Sequence, residues 1–382
     1  MSTHLDALER VITDVVAPGA TSTDEQGTFP QPAITALGEA GILGLTASPD
    51  VGGGGGGMRQ GAEVIERLAG TCGSTAMIVL MHYAATAVVE AHGPKDVRQA
   101  IGGGRHLTTL AFSEVGSRSQ FWTPVSTATI TSDGDGDGVL LHARKSWVTS
   151  GMEADSYVWS SRPVDEAAGP VTLWLVPSST GGLTRHSGGF DGVGLRGNGS
   201  IPVTADGVRV PIEARLGPDG EGLNIALATG LPWFLVLSAA FGLGVLEAVT
   251  AETGAHLGRA RLEHLGETLV QQPVPRADYA RLRLTTDRVR AFLNDTLTAL
   301  ETGRADAQLR VLEVKAVAAE DAAAGCDLAL KLCGGAAFRK EMGIERHFRD
   351  SLAARVMAPT TDALLDIVGR AVSGLPLLGP VS

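Results

Sequence analysis

Thr127-Ala-Thr-Ile-Thr-Ser-Asp-Gly-Asp-Gly-Asp-Gly-Val-Leu-Leu-His142 reads as a β-hairpin. β-Branched and apolar residues alternate with polar ones over Thr127–Thr131 and Val139–His142, and the Asp-Gly repeat between them supplies the positive φ that tight hairpin turns demand. The run Asp133–Gly138 also opens like a calcium loop. The twelfth position, where such a loop needs a bidentate Glu, is Arg144. Outward from the hairpin, short strand patterns recur at Ser156–Ser160, Val171–Val176 and Ile201–Val203, between Gly- and Asp-rich turns. A β-domain is expected from His106 to about Gly217.

On both flanks the period is helical. Leu5, Leu8, Val11, Ile12, Val15 and Val16 recur at helical spacing, and Pro30–Ala40, Met58–Ala69, Ser74–His92 and Lys95–Ile101 are further helix candidates around a Gly52–Gly57 loop. Beyond the β-domain, Leu223–His256, Pro275–Thr302, Ala305–Leu332 and Met357–Val372 read as long helices with short connections, the signature of a bundle. The expected fold class is α+β and multidomain. It comprises an N-terminal α-helical domain over residues 1–105, a central sandwich- or barrel-like β-domain over 106–217, and a C-terminal four-helix bundle over 218–382.

Composition excludes several functions. A formal net charge of −11 disfavours nucleic-acid binding, which needs basic patches to displace counterions. Cys72, Cys326 and Cys333 are scattered, odd in number and without a CxxC, which argues against a disulfide scaffold or structural zinc and for a reducing, cytoplasmic setting. The amphipathic, acid-bearing N-terminus is not a signal peptide. No membrane span is expected, because the best candidate, Leu231–Val249, is interrupted by Pro232, Ser238, Gly242 and Gly244. Gly52–Gly57 satisfies G-x-G-x-x-G only trivially, with no strand before it and no Lys-Ser/Thr after it. With no HExxH and no G-x-S-x-G, neither a zinc site nor a hydrolase triad is indicated, and no metal is expected.

What remains is an ordered series. Ala111-Phe-Ser-Glu-Val-Gly-Ser-Arg-Ser119 opens the β-domain, and Ala143-Arg-Lys-Ser-Trp-Val-Thr-Ser-Gly-Met-Glu-Ala-Asp155 follows. Gly194-Leu-Arg-Gly-Asn-Gly-Ser200, Val208-Arg-Val-Pro211 and Leu216-Gly-Pro-Asp-Gly-Glu-Gly222 come next, then Lys331-Leu-Cys-Gly-Gly335 and Arg349-Asp350. In order and spacing, over nearly the whole chain, this series resembles the acyl-CoA dehydrogenase family, whose segments read T-E-P-G-x-G-S-D, G-x-K-x-W-I-T-N, G-x-R-G-S, V-P, G-x-x-G-x-G, Q-x-x-G-G-x-G and R-D-A-R. That family's architecture is also helices, β-domain, helices.

The resemblance implies FAD as cofactor and a cofactor-binding set of Phe112, Ser113, Gly116, Ser119, Trp147, Thr149, Lys331, Gly334, Gly335, Thr360 and Asp362. Ser113 matches the hydroxyl on the flavin pyrimidine edge, and Gly116 and Ser119 match positions holding flavin or thioester. Trp147 would pack on the isoalloxazine, and Thr149 would bond flavin N5, where hydride arrives. Gly334 and Gly335 would let the backbone approach the FAD pyrophosphate of a neighbouring subunit. Taken alone, Trp147 could equally be a strand's core residue and Gly334-Gly335 a helix stop. The partners implied are an acyl-CoA or acyl-carrier-protein substrate, an electron-accepting flavoprotein or oxygen, and further copies of the chain in a dimer or tetramer.

The chain departs from the family at the catalytic base. Where the family has Y-E-G-T-S, this chain has Val356-Met-Ala-Pro-Thr-Thr-Asp362, so Ala358 occupies the Glu position and Pro359 the Gly position. Ala358 keeps the N–H that bonds the thioester carbonyl but has no carboxylate. Gly230-Leu-Pro-Trp-Phe234, matching the family's other base position, has none either. Asp362, four residues on, would share a helix face with Ala358 if the segment is helical, either as a displaced base or as a contact to FAD. The family's R-x-x-F-G falls on Leu262–Gly266 with Arg261 one residue out of place, a rotation of about 100° on a helix, and Lys331 replaces a Gln. Three activities follow, in this order: oxidation of an acyl thioester at Cα–Cβ with hydride passing to flavin, flavin-dependent monooxygenation, and an inactive flavin- or acyl-binding homologue.

Overall fold

The structure is a computed structural model and describes residues 3–117, 120–133, 136–186, 188 and 190–378. The N-terminal helices are α1 (Thr3–Val11), running through a π-helical turn at Ile12–Val16 into α2 (Ala17–Gln26), then α3 (Gln31–Glu39), α4 (Met58–Ala69), α5 (Gly73–His92) and α6 (Lys95–Gly102). The strands are β1 (Thr108–Ala111), β2 (Thr127–Asp133), β3 (Gly136–Val148), β4 (Ser156–Ser161), β5 (Thr172–Pro177), β6 (Thr184–Arg185) and β7 (Ile201–Pro211). Helices return as α7 (Gly222–Ala228) and α8 (Gly230–Arg259). A small hairpin, β8 (Arg261–Leu262) and β9 (Glu267–Thr268), precedes α9 (Pro273–Thr302), α10 (Ala307–Cys333), α11 (Ile344–Val356) and α12 (Thr361–Val372). This is the expected α+β, helix–strand–helix fold.

The chain forms two compact units. The first comprises residues 1–64, 77–191 and 196–234, and the second residues 65–76, 192–195 and 235–382. In the first, one sheet has the order β1-β4-β5 and the other β2-β3-β7-β6. Their apolar faces share one core that includes Val139, Leu141, Trp159, Trp174, Val203 and Val210. β2 and β3 pair antiparallel from Thr127↔His142 to Asp133↔Gly136, so the hairpin stands where the Asp-Gly repeat placed it. In the second unit α10 packs against α9, α11 and α12. α8 joins them through a Thr250 Oγ1 to Thr286 Oγ1 hydrogen bond of 2.9 Å.

Three sequence expectations are corrected, those for the Leu223–His256 stretch, the helix from Met357 and the setting of Arg261. The stretch Leu223–His256 is two helices, divided at Thr229 (φ −123°, ψ −86°), and Pro232 does not interrupt the second because it lies in its first turn, where no N–H is missed. α5 and the Gly222–Arg259 stretch are long and apolar enough to cross a membrane, but 83% of each apolar window is buried inside the protein. The helix expected from Met357 begins only at Thr361, since Pro359 disfavours the α conformation at Ala358 and offers no N–H of its own; the Ala358–Pro359 peptide is cis. Ala358 and Asp362 therefore share no helix face. Arg261 is not on a helix: it begins the β8–β9 hairpin, and its guanidinium donates to the Gly266 carbonyl at 2.9 Å. The helix α11 was not anticipated.

Candidate functional site

The sequence-predicted residues fall into two groups, one in each unit. In the first unit β3 is the organising element. Its inward side chains alternate as a strand requires, Val139, Leu141, Ala143 and Lys145 being buried. The register against β7 then slips, Lys145 pairing with Val203 and Val148 with Ile201, so three steps on β3 match two on β7. Such a bulge lets Lys145 and Val148 both face inward and turns Trp147 outward. Trp147 is 63% exposed and touches the Phe190 ring edge-on at 6.2 Å, so it is not a core residue. Two positions on, Thr149 is buried, with its hydroxyl 3.2 Å from Ser200 Oγ. Ser150 N–H and Gly151 N–H donate to the Asn198 and Gly199 carbonyls at 3.0 and 3.1 Å, tying the Trp147–Thr149 segment to the Asn-Gly-Ser motif.

The segment bearing Ser113 runs along the same strand. Ser146 N–H donates to the Ser113 carbonyl at 3.0 Å and Val115 N–H to the Arg144 carbonyl at 3.1 Å, with Glu114 bridged antiparallel to Lys145. Phe112 stacks on Phe121 with ring centroids 6.2 Å apart, and both line a small apolar crevice with Leu173 and Leu223. Gly116 has φ +93°, a conformation reserved for glycine. Ser119 lies outside the described residues.

Beneath this surface sits a buried ion pair that hydrophobic periodicity could not reveal. Lys145 is 0% exposed, and its Nζ donates to Glu114 Oε1 at 2.6 Å, the Ser160 carbonyl at 2.7 Å and Ser160 Oγ at 2.9 Å, over the Trp159 ring. Glu114 Oε2 accepts from Val125 N–H (2.6 Å) and Ser126 N–H (3.0 Å), and Ser126 Oγ bonds Oε1. Burial pushes the Glu114 carboxyl up, but the Lys145 charge and these donors outweigh it and hold it below its ordinary value. Burial pushes Lys145 down to about 8 against the opposing pull of Glu114. Both groups are charged at neutral pH, and they lock the Ser113–Val115 segment to the strand that carries Trp147.

In the second unit, Lys331 lies in the last turn of α10, 3.1 Å from Asp278 Oδ2. Gly334 follows with φ +56°, ψ −136°, and space is open beside both it and Gly335, where a Cβ would meet no atom within 4 Å. Thr360 is the N-cap of α12, its hydroxyl accepting from Ala363 N–H at 3.3 Å, and Asp362 is exposed in the first turn. Asp350 of the Arg-Asp motif accepts from Leu195 N–H at 2.6 Å. Ala358 is half-buried in the turn between α11 and α12. Sequence reasoning missed Lys315 altogether. It is buried on α10, and its Nζ donates to the carbonyls of Ala354, Met357 and Pro359. The three cysteines are free and buried. Among the described residues no group of three or more His, Cys, Asp or Glu is gathered as for a metal ion.

Two family models match the chain, "Acyl-CoA dehydrogenase, N-terminal domain" over residues 3–102 and "Acyl-CoA dehydrogenase, C-terminal domain" over residues 220–373. A probable acyl-CoA dehydrogenase of Bacillus subtilis is 24% identical over 369 residues, 93% of each chain. The human mitochondrial short-chain specific acyl-CoA dehydrogenase is 25% identical over 351 residues, 90% of this chain and 83% of its own length. The structure of butyryl-CoA dehydrogenase from Megasphaera elsdenii superposes with a TM-score of 0.90 over 98% of both chains, at 21% identity.

Proposed function

This chain belongs to the acyl-CoA dehydrogenase family of flavoprotein oxidoreductases, and from that premise we propose that it binds FAD and oxidises an acyl thioester, on CoA or a carrier protein, between Cα and Cβ. The observation that carries the reading is the outward Trp147 at the β3 bulge, two residues from Thr149 and bonded through Ser146 to the Ser113 segment. An indole left this exposed forfeits much of the about 1.5–3 kcal/mol that burying a large apolar side chain yields, and a flat aromatic ligand would recover it.

Trp147 would stack on the isoalloxazine, with Ser113, Gly116, Ser119 and Phe112 along its polar edge and Thr149 near N5. The open backbone at Gly334 and Gly335 would accept the pyrophosphate of a neighbouring subunit's FAD, aided by Lys331, while Thr360 and Asp362 would contact FAD away from its phosphates. FAD, when bound, supplies the two-electron acceptor. The chain's own residues bind and orient the thioester, and Ala358 N–H would donate to its carbonyl oxygen, raising the acidity of the α-proton, which would pass to a base other than residue 358 as the hydride leaves Cβ. Electrons would leave to an acceptor flavoprotein or to oxygen, from a homo-oligomer of two or four copies. Purified protein should be yellow or take up FAD, and anaerobic mixing with a panel of acyl-CoA thioesters should bleach it. A colourless protein that refuses FAD, or a colour that persists across the panel, refutes the reading.

One observation favours a second reading. Ala358 offers no carboxylate, and Asp362 is exposed in the first turn of α12, beyond the turn that carries Ala358. Flavin-dependent monooxygenation does not require that base. Oxygen consumption with a separate reductase and a hydroxylated product would support it, whereas a protein that binds FAD but turns over nothing would be the inactive homologue.

A further inference from the structure

Lys315 sits 1% exposed on α10, and its ammonium donates to the carbonyls of Ala354 at 2.9 Å, Met357 at 3.0 Å and Pro359 at 2.8 Å. An ammonium has three N–H donors, and these three acceptors bracket Ala358 on both sides. The first lies in the final turn of α11 and the second caps that helix, where carbonyls lack intrahelical partners and a cation suits the negative end of the helix dipole. The third is the carbonyl of the proline itself. Among the described residues the Ala358 N–H meets no acceptor. Burying an ammonium is costly, and here burial pushes Lys315 down to about 7. A helix can be capped at far lower cost by glycine. The cation does what a cap alone does not, by gripping the backbone before and after a single residue.

We infer that Lys315 is a positioning residue that holds the 354–359 turn so that Ala358 N–H stands as a preformed donor for the carbonyl oxygen of the acyl thioester. The inference rests on the acyl-thioester reading above. With the carboxylate gone from this position, fixing that one N–H is the main contribution the turn can still make. Donors aimed beforehand at a developing charge need no reorganisation when it forms.

The test compares thioesters with thioethers that lack the carbonyl. FAD-loaded oxidised enzyme is titrated with 2-butenoyl-CoA and 2-octenoyl-CoA, thioesters already oxidised at Cα–Cβ that cannot reduce the flavin, and with the matching thioethers S-(2-butenyl)-CoA and S-(2-octenyl)-CoA, binding being read from the perturbed flavin spectrum. Wild-type enzyme is expected to prefer the thioester of each pair by about tenfold, the worth of one hydrogen bond of about 1.4 kcal/mol. Lys315→Met should abolish most of that preference while leaving each thioether within about twofold of wild type, and Lys315→Gln, which keeps some donors, should fall between and carries the comparison if the Met variant does not fold. If both ligands of a pair weaken together, or the preference survives in both variants, Lys315 is a structural residue and the inference is overturned. If wild-type enzyme binds neither ligand, or both equally, it is the acyl-thioester reading that fails, and the role of Lys315 falls with it.

Discussion

Replacing Lys145 by Met removes the cation of the Glu114–Lys145 pair while keeping a stem of similar length over Trp159. Removing one partner of a buried pair usually costs about 3–5 kcal/mol, because the other charge stays behind uncompensated. Here Glu114 would keep three donors, Val125 N–H, Ser126 N–H and Ser126 Oγ, so the loss should lie near the lower end, about 3 kcal/mol. The sign of the pH dependence follows. In the wild type the Glu114 carboxyl lies below its ordinary value, so its contribution is present above the unfolded pKa and is lost as pH falls through the folded one. Without Lys145, burial dominates and raises the carboxyl, so the variant loses stability as pH rises. The deficit measured by urea unfolding should be larger at pH 8 than at pH 5. The double variant Glu114→Gln/Lys145→Met removes both charges and should recover at least half of it. FAD affinity should fall in the single variant, because Ser113 and Trp147 are joined through this pair. A loss under about 1 kcal/mol, a deficit independent of pH, or a double variant no more stable than the single one would refute the reasoning.

Trp147→Ala should leave the urea midpoint nearly unchanged, since the indole is largely in solvent, yet weaken FAD binding at least tenfold by fluorescence titration, a loss of about 1.4 kcal/mol. Gly334→Ala forces a side chain into φ +56°, ψ −136°, and should cost about 1–3 kcal/mol in urea unfolding. Burial raises Glu252 to about 7 against the pull of Arg346. Its contribution is therefore present below about pH 4.5 and lost as pH rises through 7, so Glu252→Gln should stabilise by about 1–2 kcal/mol at pH 8 and by little at pH 4. Ala358→Glu adds a carboxylate where the family carries its base, and anaerobic flavin reduction by acyl-CoA should accelerate by about a hundredfold or more in stopped flow; an unchanged rate would mean that another group already serves.

The strands were legible because alternating runs, as at Ile201, and short apolar or β-branched runs, as at Ser156 and Val171, lie between turns rich in Gly and Asp, so the predicted hairpin and these three strands all stand in the fold. α11 was not, because its buried face, Ile344, His347, Asp350, Ser351 and Ala354, follows the helical period with polar side chains that a hydrophobic pattern does not register. The 357–360 turn was misread as helix although Pro359 was in plain view; the apolar residues on either side masked its effect on Ala358. The Glu114–Lys145 pair and Lys315 were hidden for the same reason as α11: a lone charged residue in a sequence carries no sign of being buried. The motif series located Trp147 and Thr149, but not the reason one faces solvent and the other does not. That depends on the register of β3 against β7, which appears only once the strands are paired.

The extra residue between Lys145 and Val148 makes this strand tolerant of substitution but intolerant of any change in length. Ser146 or Arg144 can vary at modest cost, since neither is buried. Removing Ser146 would delete the bulge and leave Lys145 and Val148 inward and Trp147 outward, but would take away the N–H that ties this strand to the Ser113 carbonyl; removing Arg144 would put Ala143 and Lys145 on opposite faces, so that one of them leaves the core. A one-residue deletion here is therefore a sharper probe of how the Ser113 segment and the indole are held together than any replacement of an outward side chain.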